Sequence, residues 1–231
     1  MNSCRIDQID SFDVAFGDLG LRVGRRTGPN KRAKAAEEWF VLRMFLEPAV
    51  RVGYFDLPIY VRKGCEVERE PDFVITAGMQ EYWIEVTQAT GESDQKEFQQ
   101  VETRGGILPI GRYLSRQGRE QKGRYEPGEA WAEKVWADDV LKAVDRKTKR
   151  VIFLASDRAR HLIVYPNSNP AFLLLDEDAE HEAASVLQQE VFHRASELGN
   201  RVNGCLVHVV GKFSIYFDIV NEFRVWRRPS K

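Results

Sequence analysis

The 231-residue chain predicts an α/β protein, a central mixed β-sheet flanked by helices on both faces. Three observations carry this. Segments with helical periodicity alternate with apolar runs of strand length. Three strand-like runs follow one another after the first helix. The remaining runs are each separated by a helix or a turn signal. The order reads α, three β, α, β, then further α and β. One domain spanning 1–231 is expected, with an N-terminal arm at 1–29 and a basic insertion at 90–128.

The elements follow from local patterns. The arm is rich in Gly and Arg and predicts a loose segment with at most one short element. Asn30 caps a helix that ends at Glu47, ahead of Pro48. Phe55, Leu57, Ile59 and Val61 alternate with Asp56, Pro58, Tyr60 and Arg62, so a strand is expected, with Pro58 at an edge or at its start. "EREPDFVITAGMQEYWIEVTQA", from Glu68 to Ala89, reads as two strands around a Gly78-Met79 turn. Residues 90–128 are polar and Gly-rich, too long for a plain connector. A helix follows over 129–148. "RVIFLAS" and "HLIVYPN" read as buried strands, 178–198 as an amphipathic helix stopped by Gly199-Asn200, and "GCLVHVV" and "FSIYFDIV" as closing strands.

Composition sets limits. Hydrophobic residues make up 43% and charged residues 30%, the balance of a soluble globular chain. No run is apolar enough for a membrane span, and the polar N-terminus does not read as a signal peptide, so no membrane partner is expected. Cys4, Cys65 and Cys205 are far apart, which argues for a reducing compartment, hence a cytoplasmic protein, and against a zinc site. The net charge of −1 excludes a uniformly basic nucleic-acid binder. Basic residues nonetheless cluster. Arg22, Arg25, Arg26, Lys31, Arg32 and Lys34 occur without an acid between them. Arg104, Arg112, Arg116, Arg119, Lys122 and Arg124 occur with one acid, Glu120.

The hairpin draws attention to two acids. Pairing Ala77 with Gln80, or Thr76 with Glu81, sets Asp72 directly opposite Glu85. Such partners have Cβ atoms about 4.5–5.5 Å apart. Alternation puts Asp72, Val74, Trp83, Glu85 and Thr87 on one face and Phe73, Ile75, Ile84 and Val86 on the other. Facing carboxylates can share a proton, pair with basic side chains, or bind a divalent cation. Each of these three solutions fits the spacing.

Pro71-Asp72, twelve residues, then Glu85-Val86-Thr87 resembles the signature of the PD-(D/E)XK nuclease superfamily, the restriction-endonuclease-like fold. The surrounding order is similar: a helix carrying a glutamate, a strand, the Pro-Asp strand, the Glu-x-x strand, a helix and another strand, an αβββαβ core over about 30–90 and 129–167. The resemblance implies that Asp72 and Glu85 hold Mg²⁺, with Mn²⁺ as a substitute, that Glu38 joins as a third metal-site acid, and that the substrate is nucleic acid, DNA before RNA. The family's lysine is replaced by Thr87, which can orient a water but brings no positive charge. Lys147 lies on the same helical face as Trp136, Val140 and Val144 and is the candidate to supply that charge, whereas Lys134, Lys142 and Lys149 point elsewhere. Glu37 competes with Glu38, because the first helix is apolar nearly all round.

The expected catalytic set is therefore Asp72, Glu85, Thr87 and Lys147. Arg25, Arg26, Lys31, Arg104, Arg112, Arg116 and Arg119 are expected to grip the nucleic-acid backbone. The alternative is a non-catalytic nucleic-acid- or protein-binding module on the same scaffold. A homodimer is compatible with either. His161, His181, His193 and His208 have no metal spacing, and His208 reads as a core or edge histidine. Trp131, Trp136 and Trp226 read as core before base-stacking groups. The motifs of serine hydrolases, P-loop NTPases and dinucleotide enzymes are absent from the sequence.

Overall fold

The computed structural model describes residues 3–16, 31–65, 70–89, 131–149, 158–166 and 177–228. Among these, eight strands form one mixed sheet in sequence order. They are β1 (Ser3–Ile6), β2 (Ile59–Lys63), β3 (Phe73–Ala77), β4 (Gln80–Ala89), β5 (Ala159–Pro166), β6 (Leu206–Val210), β7 (Ser214–Phe217) and β8 (Arg224–Arg227). Five helices cover it: α1 (Phe12–Phe16), α2 (Lys31–Arg51), α3 (Trp131–Thr148), α4 (Glu177–His193) and α5 (Ala195–Val202).

Strands β4, β5 and β6 are parallel neighbours, and every other pairing is antiparallel. Parallel neighbours need a crossover. Helix α3 lies between β4 and β5 in sequence, and α4 with α5 between β5 and β6. All three pack on one face, over Leu162, Val164, Val207 and Val209. Helices α1 and α2 pack on the other, over Phe73, Ile75, Ile84 and Ile163. Each buried leucine, isoleucine or phenylalanine contributes about 1.5–3 kcal/mol, so the two apolar layers hold the sheet from both sides.

The β3–β4 hairpin follows the expected register. Ala77 pairs with Gln80, Ile75 with Tyr82 and Phe73 with Ile84. Gly78 takes φ 60°, the left-handed region that the first central residue of this turn requires.

Several boundaries differ from the sequence reading, each for a physical reason. Helix α2 runs through Pro48 to Arg51. Burial of Leu46 and Ala49 outweighs the lost hydrogen bond, and the stop is Gly53, at φ 78°. Strand β2 begins only after Pro58. The segment 178–198 becomes two helices, and Gly199-Asn200 lies inside the second. Leu198 and Val202 are buried, so the apolar stripe continues past the glycine until Asn203 and Gly204 turn left-handed. Residues 3–16, assigned to a loose arm, instead supply an edge strand and bury Ile6, Phe12 and Phe16. The last strand, β8, has no counterpart in the sequence reading. "RVIFLAS" and the insertion 90–128 lie outside the described residues.

His161 and His208 face each other on β5 and β6, fully buried and stacked, with Nδ1 of His161 2.9 Å from Nε2 of His208. The backbone N–H of Asp218 donates to Nδ1 of His208, so His208 carries its proton on Nε2 and donates to His161. Burial holds His161 down to about 4 and His208 well below its ordinary value. Bases depressed in this way support the fold above the ordinary imidazole range, and that support is lost as pH falls toward the depressed values. In the folded protein neither imidazole should titrate by NMR between about pH 8 and 5.5. A midpoint near 6.5 would mean that the pair is open to water.

Candidate active site

Asp72 sits one residue before β3, on the face covered by α3. Its position is set by its neighbours. Gly64 donates its N–H to the Asp72 carbonyl at 3.0 Å. Arg62 holds Glu70 through two 2.6 Å bonds, and Cys65 N–H donates to the same carboxylate. The Arg62 guanidinium brings Glu70 down to about 2, so this clamp ahead of Pro71-Asp72 stays charged through the physiological range. Across the hairpin, Val86 N–H donates to Oδ2 of Asp72 at 2.9 Å. Backbone and carboxylate are both fixed.

Gly64 has no room for a side chain: a Cβ there would stand 1.7 Å from the Pro71 carbonyl oxygen. Gly64→Ala must therefore push away the peptide that carries Asp72. The expected loss is about 2–3 kcal/mol of stability, read by urea denaturation.

Glu85 projects from β4 on the same face and is 7% exposed. Lys147, in the last turn of α3 and 9% exposed, donates to its Oε2 at 2.7 Å, and the same ammonium is 3.9 Å from Oδ2 of Asp72. Two acids and one lysine thus converge. Helix periodicity explains the lysine: Trp136, Val140 and Val144 are buried in the core and Lys147 ends their stripe. Arg194 and Arg201 both reach Asp145 and tie this end of α3 to the neighbouring helices.

Burial raises the pKa of Glu85 above its ordinary value of 4.5, the charge of Asp72 adds to the rise, and Lys147 opposes it. The sign follows. An acid raised in the fold favours folding below about pH 4.5, and that contribution is lost as pH rises through the raised value. A cation held by both acids would reverse the penalty, because it needs both carboxylates ionised. Any thermal shift that Mn²⁺ produces through these acids should therefore be larger at about pH 8 than at about pH 5.5. An equal shift at both would dissociate cation binding from Glu85.

Thr87 shares the face of Glu85 and is buried. Nη2 of Arg146 lies 3.3 Å from its hydroxyl and donates to the Gln88 carbonyl at 2.8 Å. Arg146 was not anticipated. Its signal was its place beside Lys147 in the final helical turn, where basic side chains also suit the helix dipole.

The described residues set Glu38 apart from this cluster. Glu38 pairs with Lys63, whose ammonium lies 4.3 Å over the Phe73 ring on the α2 face. Glu85 and Thr87 project on the opposite side of the sheet. Among the described residues, no group of three or more His, Cys, Asp or Glu is placed to share an ion. Two carboxylates are nonetheless within the number that Mg²⁺ takes from protein, the rest of its sphere being water and substrate oxygen. The donors are hard oxygens, and a cationic group already lies against both, so the residues fit such an ion. Lys31 belongs to α2, but its side chain, like Arg25, Arg26, Arg104, Arg112, Arg116 and Arg119, lies outside what is described. Trp136 is core, packed edge-on against Tyr216. No helix among the described residues is long and apolar enough to cross a membrane.

Comparison with family models, curated proteins and solved structures found no match. The fold and site define an α/β protein in which a half-buried aspartate, a buried glutamate and a buried lysine converge where α3 meets the β3–β4 hairpin.

Proposed function

We propose that the protein is a metal-dependent phosphodiesterase, an endonuclease acting on DNA, built on a restriction-endonuclease-like core. The observation that carries this reading is the convergence of Asp72, just ahead of β3, with Glu85 of β4 and Lys147 of α3. The order α2, β2, β3, β4, α3, β5 supports it, since it is the order that the Pro-Asp and Glu-Val-Thr motif implies.

Asp72 and Glu85 would hold a Mg²⁺ or Mn²⁺ ion. When bound, the ion supplies a Lewis acid that polarises a phosphoryl oxygen and acidifies an attacking water. The chain's own groups do the rest. Val86 N–H keeps Asp72 aimed at the site. Thr87, held by Arg146, orients water. Lys147 offers positive charge to the phosphate where negative charge develops. The basic segments around Arg25 and Arg112 would contribute backbone affinity that weakens with salt.

Incubation with supercoiled plasmid and Mg²⁺ or Mn²⁺ tests this. Wild type should nick the DNA, and Asp72→Asn and Glu85→Ala should not. Absence of nicking by wild type, or undiminished nicking by both variants, rejects the reading. One observation favours a second reading, a non-catalytic binding module: Lys147 already compensates the acids without a cation. That reading expects DNA or protein binding unchanged by Asp72→Asn and no heat of cation binding.

A further inference from the structure

The Lys147 ammonium lies against both acids of the pair. It is 2.7 Å from Glu85 and 3.9 Å from Asp72, and the lysine and Glu85 are almost wholly buried. Carboxylates this close repel, and burial strengthens the repulsion. An internal counter-ion removes most of it. The ammonium nevertheless leaves one negative charge over, whereas a divalent cation cancels both. With the cation and Lys147 together the cluster becomes positive, a costly state for a buried site.

The lysine is also the least anchored of the three. It is the penultimate residue of α3, on a flexible four-carbon stem, while Asp72 is pinned by Val86 N–H and Glu85 by its place in mid-strand. The member of the trio free to change rotamer is therefore the ammonium, not the carboxylates.

We propose that Lys147 is the built-in counter-ion of the acid pair: it fills the cation's place in the ion-free protein, and divalent cation entry drives its ammonium outward to meet an anionic phosphate. This rests on the reading of Asp72 and Glu85 as a cation site. It ties substrate binding to metal loading, since the charge that attracts the phosphate is released only when the cation arrives. It also makes the ion-free fold stable without metal.

The test reads the lysine itself. Wild-type protein is acylated with an amine reagent at one fixed pH, with and without saturating Mn²⁺, and each lysine is quantified by mass spectrometry. Lys147 should be protected in the ion-free protein and labelled several-fold faster with Mn²⁺ (the freed amine loses its buried ion pair). Lys63, paired with Glu38 on the other face, serves as the control that does not change. Calorimetry on Lys147→Met, which keeps the stem and removes the charge, should show Mn²⁺ binding at least about tenfold tighter than wild type, because no ion pair has to be displaced.

Lys147 remaining protected in Mn²⁺-saturated wild type, or equal affinities in the two proteins, overturns the inference and leaves the cation site intact. No Mn²⁺ binding by either protein overturns the cation site as well. Should Lys147→Met fail to fold, the wild-type labelling decides alone.

Discussion

On the proposed nuclease reading, Asp72→Asn should abolish cleavage and cation binding while changing stability only slightly. The amide keeps an oxygen for Val86 N–H, so the local hydrogen bond survives. What disappears is the negative charge that helps raise Glu85. Relief of that repulsion should offset the weaker pull on Lys147, leaving a net change within about 1 kcal/mol, of either sign but small. A cation held as proposed would lose one of its two protein carboxylates. Even residues that only support a metal ligand are worth about 10–100-fold in affinity or activity, so loss of a ligand should exceed a hundredfold. Melting temperature and Mn²⁺ calorimetry on the same preparation separate the two effects. A variant that melts well below wild type would make Asp72 a structural residue. One that still binds Mn²⁺ at wild-type affinity would remove it from the site.

Glu180→Ala should produce the largest loss of stability, about 3–5 kcal/mol. Glu180 is 2% exposed on α4. Its carboxylate accepts from the backbone N–H groups of Lys212, Phe213 and Ser214, at 2.6–3.2 Å, and from the Tyr216 hydroxyl at 3.3 Å. These donors belong to the β6–β7 turn and the start of β7. Truncation strands several of them away from water, and each buried donor left without a partner costs about 1–3 kcal/mol. Gly211 fits beneath the same carboxylate, where a Cβ would come within 2.5 Å of an oxygen. Urea denaturation measures the effect. A loss under about 1 kcal/mol would mean that the turn is held by its own backbone bonds.

The contrast between these two acids shows what was legible in the sequence. Asp72 and Glu85 could be paired because a glycine-first turn and strict alternation set the register, and both are local rules. Lys147 could be chosen among four lysines because helical periodicity names the face on which it lies. Glu180 lies in the acidic run "DEDAEHE", which has the ordinary look of a solvated helix start. Its partners lie more than thirty residues away in a turn that no local pattern connects to α4. His161 and His208 are hidden for the same reason: they meet only because β5 and β6 are parallel neighbours. Arg146 depends on how α3 crosses β4, an angle that periodicity does not encode. Glu38 was drawn toward the acids by resemblance, while alternation along β2 turns its partner Lys63 to the opposite layer.

The helix boundaries make a similar point. Pro48 and Gly199 are local stop signals, and both are overridden by burial of the next apolar residue in the stripe. Where a helix end faces the core, packing decides; where it faces solvent, as at Gly53, the local signal holds.

The most direct test of the acid cluster is a crystal of the wild-type protein soaked in Mn²⁺, with anomalous difference density measured at the manganese edge. A single peak between the carboxylates of Asp72 and Glu85, with the Lys147 ammonium moved away from both, is the predicted result. No peak at saturating Mn²⁺, with Lys147 still bonded to Glu85, would contradict it.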